Sequence, residues 1–413
     1  MDLDGLQDIL HANRLLEGSS DPDLVVDVMN AIDKAKDLEL PDRNILPAAG
    51  LIGGIRLRAI EALHRLAYAS RPPYPDDLIE LYLRWAPLRY LGFFDHNKDE
   101  QLVVSKAGRA MRGNQRRVAS EELGIGFAIR IAEQWVRNLG YAGGMIDVID
   151  IDVLRDRGFV EVGGVPLDYD DEGRHPDYLL IAAGPEVRQL PALYLLECKG
   201  TATAGYPVKQ LARAVTQLDG VTIGRYPLPS LAVSTLTGSG PVRYYAVELE
   251  AGERAPSRTV GDRLPEEVIG RPLPPRLDLY DLTDLALPTA WTSLALFGGN
   301  VDAAAEWDQG LDLSDVDEQP TRPFATTYGR AWGIVTESRL RGRTIVIKRG
   351  IDEAVNARLS AVDYDGLLAA QARFARALAE RGDPASRVRR RPGGELRVES
   401  AAPNGSVLSI TVR

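Results

Sequence analysis

Cysteine is nearly absent: Cys198 is the only one in 413 residues. A single thiol excludes an intrachain disulfide and leaves no cysteine-based zinc site. The four histidines, His11, His64, His96 and His175, show no ligand spacing. No apolar run approaches the ~18 residues that a membrane helix needs. The start, Met1-Asp2-Leu3-Asp4, lacks the basic and apolar regions of a signal peptide. The expectation is a cytoplasmic protein with no membrane partner. Gly53-Gly54 is not followed by Gly-Lys-Ser/Thr, so no ATPase phosphate loop is legible. A surplus of positive charge is missing too. The formal net charge is -10, which argues against a protein that coats nucleic acid along its whole surface and confines such contact to local basic patches.

What is present is a globular composition, long enough for two or three domains. The chain is organised around His175 to Thr201. It reads His-Pro-Asp-Tyr-Leu-Leu-Ile, a loop with Gly184, Pro185 and Pro191, then Ala-Leu-Tyr-Leu-Leu-Glu-Cys-Lys-Gly-Thr. Two short apolar runs bounded by Gly and Pro predict neighbouring buried strands, each too short for a helix face. Side chains alternate along a strand, so Leu193, Leu195, Glu197 and Lys199 share one face, and Tyr194, Leu196 and Cys198 the other. Glu197 and Lys199 are thus expected to leave the core side by side. Pairing of the two runs would bring Asp177 beside Glu197. Two carboxylates and an ammonium at one sheet rim suit a hard divalent cation with a lysine beside it to hold or polarise water.

Pro176-Asp177 followed after twenty positions by Glu197-Cys198-Lys199 resembles the PD-(D/E)XK nuclease superfamily, the restriction-endonuclease-like fold. The resemblance covers about residues 120 to 250. It implies Mg²⁺ or Mn²⁺ held by Asp177 and Glu197, a further ligand from the Cys198 carbonyl, and Lys199 assisting the attacking water. Members often carry a Glu near the metal on the helix preceding the catalytic sheet, which points to Glu122, next to Glu121. A Gln or Lys often faces the site from the helix after the motif, which points to Gln210. The activity implied is a metal-dependent DNA endonuclease, of a restriction or anti-phage defence kind, working as a homodimer or with a defence-system partner. The motif suits DNA and RNA alike. A reading from another class is a catalytically inactive DNA-binding regulator or assembly protein that uses the same fold as a scaffold.

The flanking chain predicts an α+β multidomain protein in four parts. Residues 1–118 read as a helical and winged-helix-like domain. Leu24, Val25, Val28 and Ile32 mark one helix, and Leu57, Ile60, Leu63 and Leu66 a second. A third follows Pro75 with Leu78, Leu81 and Leu83. The run from Leu91 to Ala110, a hairpin followed by a helix capped by Ser105, resembles the wing of winged helix-turn-helix domains. Arg112, Arg116 and Arg117 follow it as candidate phosphate contacts. Residues 119–254 form the nuclease-like domain, an α-β-β-β-α-β core. It includes a helix from Ser120 to Leu139, strands within 145–167, an acidic cluster (Asp168, Asp170, Asp171, Glu172), a helix from Pro207 to Leu218 and two later strands. Residues 255–320 read as a linker and helical segment, rich in proline and charge at first. Residues 321–413 read as a basic α+β region: Arg339, Arg341, Arg343, Lys348 and Arg349, a helix from Tyr364 to Arg381, the run Arg387–Arg391, and a hairpin at Pro403-Asn404-Gly405. Basic residues gathered in one part of an acidic protein suit a phosphate-binding surface.

Overall fold

The structure is a computed structural model that describes residues 9–70, 88–156, 159–162, 165–166, 175–184, 191–223, 227–251, 279–309, 320–340, 342–381 and 396–413. The expected third N-terminal helix, after Pro75, the acidic cluster at 168–172, the segment 255–275 and the arginine run 387–391 lie outside these residues.

The chain opens with β1 (Asn13–Ser19) and α1 (Pro22–Lys34). Asp21 caps α1 by accepting from the Leu24 amide at 2.8 Å, and Leu24, Val28 and Ile32 bury one face. Short strands β2 (Ile45–Pro47) and β3 (Ile55–Arg58) lead into α2 (Ala59–Ala69). The predicted hairpin is β4 (Phe94–His96) with β5 (Leu102–Val104), and Ser105 caps α3 (Lys106–Ala110) through the Gly108 amide. Helix α4 (Asn114–Val136) is longer than the sequence predicts and passes into a π turn at Arg137–Tyr141.

Next come β6 (Met145–Asp150), α5 (Ile151–Arg155), β7 (Val160–Val162), β8 (Val165–Pro166), β9 (Tyr178–Ala183) and β10 (Ala192–Thr201). They are followed by α6 (Pro207–Leu218), β11 (Val221–Ile223), β12 (Ser230–Leu236) and β13 (Arg243–Leu249). The last part holds α7 (Leu279–Gly298), α8 (Val301–Trp307), β14 (Arg322–Ala325), β15 (Arg330–Leu340) and β16 (Arg343–Asp352). It ends with α9 (Glu353–Ser360), α10 (Tyr364–Glu380), β17 (Leu396–Ala401) and β18 (Ser406–Val412).

The fold is mixed α/β. Its central sheet runs β3-β1-β13-β12-β10-β9-β6, with β2 also on β13. Strands β6, β9 and β10 form an antiparallel meander, and β10 pairs with β12 in parallel after the crossover through α6. Within 119–254 the elements run α4, β6, α5, β7, β8, β9, β10, α6, β11, β12, β13, so the expected α-β-β-β-α-β order is interrupted by α5, β7 and β8 and again by β11.

Two expected boundaries do not separate the parts. β1 runs parallel to β13, with Glu17 opposite Arg243, and β3 pairs with β1, so the first segment extends the central sheet across 118/119. Within 255–320, α7 is a core helix rather than a connector. Trp291, Leu294 and Phe297 are wholly buried in a hydrophobic core that also includes Leu180 of β9 and Ile347 and Ile351 of β16. That core joins the central sheet to the C-terminal antiparallel sheet, β14-β15-β16-β18-β17. The expected basic surface is also reduced. Arg349 is buried and donates to the carbonyls of Leu296 and Phe297, at the end of α7. Among the described residues no helix is long and apolar enough to cross a membrane.

Candidate active site

Strand pairing builds the rim. Leu195 faces Leu179 and Leu196 faces Tyr178, so the antiparallel register runs out with Asp177 opposite Glu197. The Asp177 amide donates to Glu197 Oε2 at 3.1 Å, and the Cys198 amide donates to Asp177 Oδ2 at 2.7 Å. Lys199 Nζ forms an ion pair with Glu197 Oε1. The structure therefore brings Asp177 and Lys199 each within hydrogen-bonding reach of Glu197. In a strand, a residue's N–H and C=O point to the same edge. The Cys198 amide reaches Asp177, so its carbonyl turns toward that edge as well.

The expected departure of Glu197 from the core is corrected by depth. It shares the face of Lys199, as alternation requires, but its side chain is wholly buried while that of Lys199 keeps 26% exposure. Burial, together with the neighbouring Asp177, pushes the Glu197 carboxyl up to about 8 against the pull of Lys199. Burial also raises Asp177, against the opposing charge of Lys199. Burial alone would lower Lys199, yet the two carboxylates more than offset it and hold the ammonium above its ordinary value. The Cys198 thiol lies on the other face of β10, where burial raises it strongly. Only its backbone is at the rim.

Gln210 sits on the Lys199 side. Ser234 of β12 is register-paired with Lys199, and its hydroxyl donates to Gln210 Oε1 at 2.9 Å. Gln210 Nε2 donates to the Gly200 carbonyl at 3.3 Å. Both ends of the amide are thereby used to tie α6 to β10 and β12. Gln210 holds the strand end in place beside the charged groups.

Glu122 is elsewhere. Helix α4 packs on the opposite face of β10, where Trp135 meets the Tyr194 ring edge-on at 5.2 Å. Glu122 accepts from Arg89 at 2.8 Å and from the Tyr90 hydroxyl. Among the described residues no three His, Cys, Asp or Glu side chains group closely enough to hold a metal by themselves. The expected acidic ligand from this helix is thus not supplied to the Asp177–Glu197 pair.

Sequence reasoning missed the outer support of Asp177. The Ile151 amide, at the corner between β6 and α5, donates to the Asp177 carbonyl at 3.1 Å. His175 places Nε2 3.7 Å from Asp152 Oδ1 and adds positive charge near Asp177 when protonated. The signal available was the adjacency of His175, Pro176 and Asp177 ahead of an apolar run.

Basic side chains frame the rim on both helices. Arg112 and Arg117 are exposed at the start of α4, whose Ser120 lies on Gly200, and Lys209 and Arg213 are exposed on α6 beside Gln210. Compared with family models, curated proteins and solved structures, the chain matches none of them.

Proposed function

We propose that the Asp177–Glu197–Lys199 rim is the catalytic centre of a Mg²⁺- or Mn²⁺-dependent endonuclease of the PD-(D/E)XK kind. The observation that carries this reading is the convergence of the three side chains where β9 begins and its pairing with β10 runs out. The residues fit a hard cation. Two carboxylates are forced together in a buried place, where burial raises both and the Asp177 charge raises Glu197 further, a conflict that an oxygen-seeking dication relieves. Asp177 and Glu197 would hold it, with the Cys198 carbonyl turned to the same edge. When bound, such an ion stabilises charge on a phosphoryl oxygen and lowers the pKa of water.

Lys199 is the member of the set that reaches solvent. Kept protonated by the two carboxylates, it can orient the attacking water and balance the negative charge that grows on the phosphate. Gln210 positions the strand end that carries it. Arg112, Arg117, Lys209 and Arg213 supply phosphate contacts on either side. The choice of DNA and the defence role rest on the family resemblance.

One observation favours a scaffold instead: Glu197 already has a buried ion-pair partner in Lys199, so the rim is neutralised in part without a cation. Plasmid cleavage across a Mg²⁺ titration, with and without EDTA, separates the readings. Cation-dependent cleavage abolished by EDTA is expected. A folded protein that neither cuts nor gains thermal stability with Mg²⁺ or Mn²⁺ would leave the regulator or assembly reading in place.

A further inference from the structure

A second charged cluster lies where α2, α4 and β17 meet, on the helix layer rather than at the rim. Arg65 grips Glu133 through two bonds, at 2.8 and 3.0 Å. Glu61 receives Arg58 at 3.0 Å and Arg130 at 3.2 Å. Arg137 approaches Glu133 at 3.9 Å. Beside them is a cavity of about 360 Å³, bordered on its polar side by Arg56, Arg58, Glu61, Arg65, Arg130 and Arg137. Leu57, Leu378 and Ala401 border it on the apolar side.

The charges do not balance. Five guanidiniums border the cavity; four of them, Arg58, Arg65, Arg130 and Arg137, contact the two carboxylates Glu61 and Glu133, and exposed Arg56 is the fifth, a surplus of three positive charges. Glu399, on the neighbouring strand, is engaged by Arg397. His64 is held neutral, lowered by burial and by Arg65. The surplus has two consequences. Arg130 Nη1 is buried with no hydrogen-bond partner among the described residues. Arg137 is pushed down to about 10 by burial and by the like charge of Arg130. Keeping an unpaired guanidinium donor out of water costs free energy that an anion would recover.

We propose that this cavity binds a small phosphorylated molecule, its phosphate held by Arg130, Arg137 and Arg56 and its organic part lying against Leu57, Leu378 and Ala401. The planar guanidinium fork matches phosphate oxygens in pairs, and a surplus of three suits a di- or trianion better than one carboxylate. The volume falls in the range of small-molecule sites, about 300–1,000 Å³. Arg58, Arg65 and Arg130 lie too deep for a duplex backbone to reach them. The site is separate from the nuclease-like rim. Ser120 of α4 lies on Gly200, and Arg130 follows ten residues later, about 15 Å along the helix.

Isothermal titration calorimetry of the full chain with AMP and with inorganic pyrophosphate, without divalent metal, tests the proposal. Both probes should bind. Arg137→Gln and Arg56→Gln stand at the partly exposed edge of the cluster and leave the Arg65–Glu133 and Arg58–Glu61 pairs intact. Each should weaken AMP binding about tenfold, and the double variant about a hundredfold. Arg330→Gln, exposed on β15 and outside the cavity lining, should leave it unchanged. Melting of each variant confirms that it is folded. Failure of both probes to bind at millimolar concentration, wild-type affinity in the double variant, or an equal loss in Arg330→Gln would overturn the proposal.

Discussion

At the rim, Glu197 holds the sharpest conflict between charge and burial, and that conflict has a definite pH signature. Its folded-state pKa, about 8, exceeds the ordinary value of 4.5, so the folded protein holds this proton more firmly than the unfolded chain. The stability it contributes is complete below the ordinary value and is lost as pH rises through about 8. The melting temperature of the metal-free protein should therefore fall over that interval relative to Glu197→Gln, in which position 197 does not titrate. A constant difference between the two proteins from about pH 5 to about pH 8.5 would contradict this. A cation needs the deprotonated pair, so the stabilisation by Mn²⁺ should grow over the same interval. Lys199→Ala leaves both carboxylates in place. Metal and DNA should still bind while cleavage drops by about 10²-fold or more, the usual worth of a positioned proton-handling group. Asp177→Asn and Glu197→Gln should weaken the metal response as well. Cleavage by all three folded variants at the wild-type rate would refute the catalytic assignment.

Among the elements, the contact of α4 with β10 decides where the rim can sit. A Cβ built on Gly200 would lie 1.9 Å from the Ser120 carbonyl oxygen, and one on Gly124 would lie 2.9 Å from the Gly200 Cα. Two glycines let helix and strand meet at backbone distance. Gly200→Ala should push α4 away and destabilise the protein by about 1–3 kcal/mol, as overpacking does, read from urea melts. The same element shows how far sequence carries. Gly200 after Glu-x-Lys is visible as a residue, but its reason is a helix that starts 86 positions earlier, at Asn114. The alternation of Leu193 to Lys199 correctly puts Glu197 and Lys199 on one face. Period alone says nothing of depth, so the burial of Glu197 is not legible. The expected buried stripe of Ala128, Ile131, Ala132, Trp135 and Leu139 predicts the helix, though Leu139 falls in the π turn and is exposed; it does not predict the side of the sheet on which the helix lands, and Glu122 is misplaced for that reason. Helix α6, with Pro207 at its start and one apolar side, is legible in full. Strand β1 is not, because its residues, six half-buried around the fully buried Leu16, take their meaning from β13, more than two hundred positions away.

Across the whole molecule, the C-terminal sheet completes the packing around the segment 119–254 instead of standing beside it. Arg58 Nη1 donates to the Glu399 carbonyl at 2.9 Å, and His64 and Arg65 both reach the Ser400 hydroxyl, at 3.1 and 3.2 Å. Asn404, in the turn between β17 and β18, donates to Asp147 of β6 at 2.9 Å, and its carbonyl accepts from Gln371 of α10. All of these groups are buried. Removing such a partner strands a buried polar or charged group, at a cost of about 1–3 kcal/mol for each neutral bond and more for a charge. A chain ended after residue 254 would strand Arg58, His64, Arg65 and Asp147 together and uncover the apolar side of the central sheet now covered by α7. It should lose cooperative melting, retain much of its far-ultraviolet signal and bind a hydrophobic dye. The full chain should melt in one transition, seen alike by circular dichroism and tryptophan fluorescence. A sharp melt of the shortened chain at the full-length temperature would instead establish 1–254 as a unit that folds on its own, with the C-terminal sheet an addition to it.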